Sequence, residues 1–313
     1  MNRDYSPAPL APPPPSSHRL WTLQARLAPY LFVLPFILLF CLFLLYPIYR
    51  SIVLSFYKSA GPRKEVFIGP ANYLFLLKDQ LFWLAVANTA AFTLLCLLVQ
   101  IPVSLILALI LNNKRVKLRG VFRFAFFTTH VVGSVFLAVL FSMLLSPRAG
   151  LLNRALAVFV GHPVDINWLG EPNLVLPALL LASLWVSVGF GMIYFLAALQ
   201  AVDKELYEAA EVDGANKWSQ FWNITLPGIK PVLIFMILIG TIAGFQLFEL
   251  PYVLFQGGAG PKSRGLTIVM YLFQHGFEAG NLGYAAAIGW VLVLMILAVA
   301  ILQIRSMRAT QES

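Results

Sequence analysis

The chain has 313 residues, of which 60% are hydrophobic and only 11% charged, with a mean hydropathy of +0.81. Soluble domains carry about 25% charged residues, so an ordinary soluble fold is excluded. The net charge of +9 would suit nucleic-acid binding, but the placement of the basic residues explains it otherwise.

Residues 1–28 are rich in Pro, Ser and Ala ("SPAPLAPPPPSSHRL") and read as a disordered cytoplasmic tail with no core of its own. The apolar run after Arg26 is longer than a signal-peptide core and lacks a cleavage site, so it reads as a first true membrane span. Six runs are long enough to cross a bilayer as helices: 30–49, 81–111, 121–145, 174–199, 232–255 and 282–304. Strand-like alternation is absent, which predicts an all-α membrane bundle.

Orientation follows the Lys and Arg residues. The loop after the second run holds Lys114, Arg115, Lys117, Arg119 and Arg123 with no acid, and Arg3, Arg19, Arg26, Arg305 and Arg308 share its side. This places both termini in the cytoplasm and accounts for the net charge by topology. Cys41 and Cys96 both lie inside spans and read as small packing residues. No disulfide framework or zinc spacing exists.

Catalytic groups are hard to find. His18, His130, His162 and His275 fit no metal or catalytic pattern, and His130, at the start of the third run, is the one intramembrane candidate. The segment "GGAGPKS" (257–263) lacks the adjacent Gly-Lys-Ser/Thr that a phosphate loop needs, because Pro261 intervenes, and it reads as an external turn.

The most informative stretch is the island between the fourth and fifth runs. Five of the 13 acids (Asp203, Glu205, Glu208, Glu211 and Asp213) fall there. Asp203 suits a helix N-cap and Gly214 a left-handed stop. Leu206, Ala209, Ala210 and Asp213 share one side at helical spacing, with Tyr207 beside them. Asn216 could cap a second short helix bearing Trp218, Phe221 and Trp222, and Pro227 and Pro231 are expected to break the chain before the fifth span. An acidic helix is repelled from the anionic cytoplasmic leaflet, so its exposed small-residue face suits a protein partner better than lipid.

The island resembles the EAA loop of permeases in binding-protein-dependent ABC importers. Glu208, Ala209, Ala210, Gly214, Ile224, Leu226 and Pro227 occupy the motif positions without a gap. "NTAAFT" (88–93), "GLLN" (150–153) and "LAALQAV" (196–202) are similar to the carbohydrate-uptake branch, of the maltose and glycerol-phosphate type. Val202-Asp203 replaces the frequent Ile-Pro before the loop, and Thr128-Thr129-His130 replaces a common Leu-Pro-aromatic stretch.

The resemblance implies a six-transmembrane-helix type I ABC importer permease fold over 29–305, with a cytoplasmic coupling helix in the loop 203–227 and a short tail at 306–313. It implies a second permease, two copies of a cytoplasmic ATPase that binds the ATP and Mg, an extracytoplasmic solute-binding protein, and a bacterial inner-membrane location. No cofactor is expected in this chain. Glu208, Ala209, Ala210, Asp213 and Gly214 would contact the ATPase, with Glu208 holding the loop through charge-assisted bonds. Trp185, Gln246 and Glu249 would line the sugar pathway, the ring stacking on a sugar and the polar groups bonding its hydroxyls. A permease for glycerol phosphate or another polyol, a secondary transporter and a membrane-embedded enzyme are the competing readings. The last two would require paired repeats or a catalytic cluster.

Overall fold

The computed structural model describes residues 15–59, 65–113, 115–148 and 150–309, so residues 1–14, 60–64, 114, 149 and 310–313 lie outside it. By internal contacts the chain divides after Leu54 into two units. The first unit holds α1 (Pro15–Phe40) and α2 (Tyr46–Leu54), joined by a π-turn over Cys41–Leu45. Together they form an apolar span, Arg26–Leu54. α1 is described from Pro15 on, so the disorder expected over residues 1–28 does not hold for 15–28, and residues 1–14 lie outside those described.

The second unit begins with a small antiparallel ribbon, β1 (Tyr57–Ser59) on β2 (Glu65–Phe67), an exception to the all-α expectation. The side-chain amide of Asn72, in α3 (Ala71–Lys78), donates to the carbonyls of Ser55 and Tyr57 at 2.8 and 3.0 Å and pins the ribbon down. There follow α4 (Gln80–Asn112), α5 (Arg119–Thr128), α6 (Ser134–Leu144), α7 (Leu151–Val160) and α8 (Val175–Ala201). Beyond them come α9 (Lys204–Val212), α10 (Lys217–Gln220), α11 (Leu226–Phe245), α12 (Glu249–Leu254), α13 (Ile268–Phe273) and α14 (Leu282–Ala309).

Among the described residues five helices are long and apolar enough to cross a membrane, and six if α5 and α6 count as one bent span. The third span, expected over 121–145, is bent, next to the Thr128-Thr129-His130 departure. Its halves meet at 101° around the turn Thr129–Val131, where Val132 and Gly133 are extended. The fifth span also differs. Pro227 and Pro231 do not break it, and one helical segment runs from Lys217 to Phe245. A π-turn at Phe221–Thr225 lets the Leu226 N–H reach the Phe221 carbonyl, five residues back, just before Pro227. The same device, Tyr46 N–H to the Cys41 carbonyl, precedes Pro47. A proline clashes with the carbonyl four residues back, and a turn widened by one residue relieves that clash. The span ends at Gln246, and Glu249 heads the separate helix α12.

The heart of the bundle is α4 packed against α8, with α11 crossing both. Glycines permit the approach. A Cβ built on Gly189 of α8 would lie 1.8 Å from the Phe126 carbonyl oxygen of α5, and one on Gly191 would lie 2.7 Å from Ser104 Oγ of α4. Ser104 in turn donates to the Val188 carbonyl at 3.0 Å. At the α9 end the core is Leu105, Ala108, Leu111, Met192, Phe195, Leu199, Ile229 and Met236. A second cluster of Leu76, Phe82, Tyr271, Tyr284 and Ile288 closes the opposite end.

Candidate coupling loop

The loop builds itself from local signals. Asp203 accepts a hydrogen bond from the Glu205 N–H at 3.0 Å and caps α9, as its residue type predicts. At the other end Gly214 takes φ +77°, which only glycine adopts without strain. Its N–H bonds the Glu211 carbonyl at 3.1 Å, and the Ala215 N–H bonds the Ala210 carbonyl at 2.8 Å, the two bonds of a Schellman motif. Asn216 accepts from Ser219 N–H at 2.8 Å and starts α10.

Two contacts tie this helix–turn–helix to the fifth span. The Tyr207 hydroxyl lies 3.0 Å from Thr225 Oγ1, inside the π-turn region. Gln220, buried, donates to the Ala215 carbonyl at 3.2 Å. Across the turn the Lys217 ammonium bonds the Glu211 carboxylate. That bond, with the charge of Lys217, holds the Glu211 carboxyl below the usual carboxylate range.

The predicted contact residues therefore sit on one short helix and its stop, with a corrected face. Glu208, Ala209, Asp213 and Gly214 are exposed, as is Leu206, whereas Ala210 and Tyr207 are half-buried. Anchoring Tyr207 on Thr225 rotates Ala210 away from the presented side. Glu208 makes no hydrogen bond or ion pair among the described residues, so the charge that braces the loop internally is Glu211. α9 buries no residue at all.

The predicted pathway residues are less coherent. Trp185 lines an apolar cavity of about 470 Å³ with Leu181, Leu184 and Val188 of α8 and Phe122 and Phe126 of α5, and its ring meets Phe141 edge-on at 6.2 Å. Neither Gln246 nor Glu249 lines that cavity. Both are exposed at the break between α11 and α12. His130 stacks on Phe190 at 4.6 Å, and Phe190 leads through Tyr194 to Phe235 in a half-exposed row of rings. The row joins the bend of the third span to the fourth and fifth spans.

One cluster had no sequence signal. Asp79 caps α4 through the N–H groups of Leu81 and Phe82, and its other oxygen accepts from the hydroxyls of Tyr271 and Tyr284, the latter at 2.6 Å. Burial pushes the carboxyl up, but these bonds outweigh burial and hold it below its ordinary value. At the same end, Asn88 of the "NTAAFT" segment donates to the carbonyls of Ser263 and Leu266 at 2.8 and 3.1 Å, anchoring the "GGAGPKS" turn.

Residues 100–311 match the family described as binding-protein-dependent transport system inner membrane component. This chain belongs to that family. It is 39% identical over 280 residues to the arabinooligosaccharides transport system permease protein AraP of Bacillus subtilis (strain 168), covering 90% of this chain and 88% of that protein. It is 37% identical over 281 residues to the lactose transport system permease protein LacF of Rhizobium radiobacter, covering 89% of this chain and 93% of the relative. Among solved structures, a chain of a bacterial alginate ABC transporter in complex with an alginate pentasaccharide-bound periplasmic protein superposes with TM-score 0.78 at 27% identity, over 91% of this chain and 96% of that one. The type I ABC importer permease fold is thus shared, and this chain is a multi-pass membrane transport component, not an enzyme. The coupling loop lies inside the matched region.

Proposed function

We propose that this chain is one of two permease subunits of an ABC importer that passes a sugar from an extracytoplasmic solute-binding protein into the cytoplasm. Relatives named for arabinooligosaccharides and lactose, and a structural neighbour bound to an alginate-loaded periplasmic protein, support an oligosaccharide or small sugar over a polyol. Both termini and the loop 203–227 face the cytoplasm, where two copies of an ATPase bind the ATP and Mg. Nucleotide-driven closure of the ATPases rocks the two permeases between outward- and inward-facing states.

The observation that carries this reading is α9: capped at both ends, braced by Glu211–Lys217, anchored through Tyr207 and yet without a buried residue. A helix built so completely and packed so little within its own chain is made to be gripped from outside. Glu208, Ala209, Asp213 and Gly214 form the surface presented to the ATPase, with Ala210 behind it. The row His130–Phe190–Tyr194–Phe235 offers flat faces on which sugar rings can stack, and it complements Trp185 as a pathway candidate.

Co-purification of the ATPase with tagged permease tests the reading. Glu208→Lys reverses an exposed charge whose side chain has no partner among the described residues, so it should strip the ATPase while leaving the permease folded. Undiminished complex formation would refute the assignment of this face.

A further inference from the structure

A cavity of about 530 Å³ opens between the coupling helix and the bundle, lined by Asn112, Arg119, Leu199, Gln200, Val202, Lys204 and Tyr207. These residues come from four helix ends: the last turn of α4, the first of α5, the last of α8 and the start of α9. Three of these ends belong to spans and the fourth opens α9, so the cavity lies at the α9 end of the bundle. Its lining holds two cations and no carboxylate. Neither Arg119 nor Lys204 has a hydrogen bond or ion pair among the described residues. Asp203 and Glu205 flank Lys204 in sequence without lining the cavity, and Asp203 spends a carboxylate oxygen on the Glu205 N–H. Asn112 and Gln200 add neutral donors, and Leu199 and Val202 give one apolar wall.

Two cations, unpaired among the described residues and lining one concave, donor-bearing space, suit a phosphate group. Basic pockets between span ends attract anionic headgroups, and Arg115 and Lys117 in the adjoining loop offset the repulsion from the acids Asp203 and Glu205 beside Lys204. Guanidinium and ammonium groups supply charge-assisted bonds to phosphate oxygens. We propose that this cavity binds a phosphate-bearing anion, with the headgroup of an anionic phospholipid as the occupant its position favours, and that the occupant braces the coupling helix against the loop between the second and third spans. Because Lys204 and Tyr207 belong to α9, occupancy stiffens the element offered to the ATPase. The cytoplasmic placement rests on the proposed function, and the binding itself does not.

The test uses the full importer in phosphatidylcholine nanodiscs, with and without phosphatidylglycerol, and counts retained phosphatidylglycerol by native mass spectrometry. Each cation near an anionic surface contributes about fivefold in affinity, so Arg119→Gln with Lys204→Gln should lose roughly 30-fold. Arg119→Lys, which keeps the charge, should retain most of it. A parallel arm titrates inorganic phosphate into lipid-neutral discs and follows phosphorus line broadening. Phosphate binding that needs the same two residues, without phosphatidylglycerol retention, would identify a free phosphate as the occupant. Equal retention of phosphatidylglycerol by wild type and the double variant, or binding of neither probe, would overturn the proposal. ATPase co-purification scored on the same samples separates this outcome from failure of the coupling-loop reading, since lipid retention is read whether or not the ATPase stays bound.

Discussion

Replacing Gly214 tests whether the coupling helix is a locally folded element. The residue holds φ +77°, and nothing lies within 4 Å of where a Cβ would be, so an alanine there meets only backbone strain. A left-handed non-glycine residue costs roughly 1–2 kcal/mol. Proline is worse: its φ is fixed near −65°, it removes the N–H that bonds the Glu211 carbonyl at 3.1 Å, and it pushes Asp213 out of its φ −73°, ψ 1° conformation. That totals about 3 kcal/mol or more. α9 has nine residues and no buried side chain, so it has little reserve; helices this short are marginal on their own. Apparent affinity for a partner falls with the fraction of competent conformers, so Gly214→Ala should weaken ATPase binding by about 5- to 30-fold and Gly214→Pro by about 100-fold or more. Gly214→Asn, tolerant of the left-handed region, should lose less than alanine. Titrating the isolated ATPase onto permease nanodiscs gives the affinities, and a thermal scan of each variant should stay near wild type because the spans carry the core. Wild-type affinity for both the alanine and proline variants would refute the argument.

Three further outcomes follow from the packing. Gly189→Ala forces a methyl to within 1.8 Å of the Phe126 carbonyl, so it should destabilise the permease by about 1–3 kcal/mol in detergent melts; Gly120→Ala, with no atom within 4 Å, should be neutral or slightly stabilising. Asp79→Asn should loosen the end where α4, α13 and α14 meet, by about 1.5–3 kcal/mol for a lost charged hydrogen bond, seen as faster hydrogen exchange around Tyr271 and Tyr284. Because the Asp79 carboxyl is held below its ordinary value, its stabilisation is present above about pH 4 and disappears as pH falls through the folded value; a melt series taken downward from pH 6 should show this loss begin below about pH 4 in wild type and not in Asp79→Asn. Phe190→Ala, in the aromatic row, should reduce sugar uptake at least tenfold with the complex intact if the rings form a stacking surface, and undiminished uptake would remove them from the pathway.

Local chemistry made the coupling loop legible. Asp203, Gly214 and Asn216 each act through neighbours within five residues, and each adopts the cap or stop its residue type favours. Hydropathy likewise located the spans, because a 20-residue apolar run has few other uses. What failed were features decided elsewhere in the chain. Pro227 reads as a helix breaker until the π-turn at Phe221–Thr225 absorbs it, and no periodicity announces a one-residue widening. The run 121–145 reads as one span, and its periodicity gives no sign of the 101° bend at Thr129–Val131, where Val132 and Gly133 are extended. Glu208 and Glu211 are alike in composition, and only the fold puts Lys217 beside Glu211. The Asp79 cluster joins residues 192 and 205 positions apart, beyond any local pattern.

Site-directed cross-linking tests the central claim most directly. In a cysteine-free background with the ATPase present, Ala209→Cys on the exposed side of α9 should cross-link to the ATPase, with a yield that changes when nucleotide is added. Phe277→Cys, exposed near the opposite end of the bundle, should give none. Cross-linking from position 277 and none from position 209 would contradict the account.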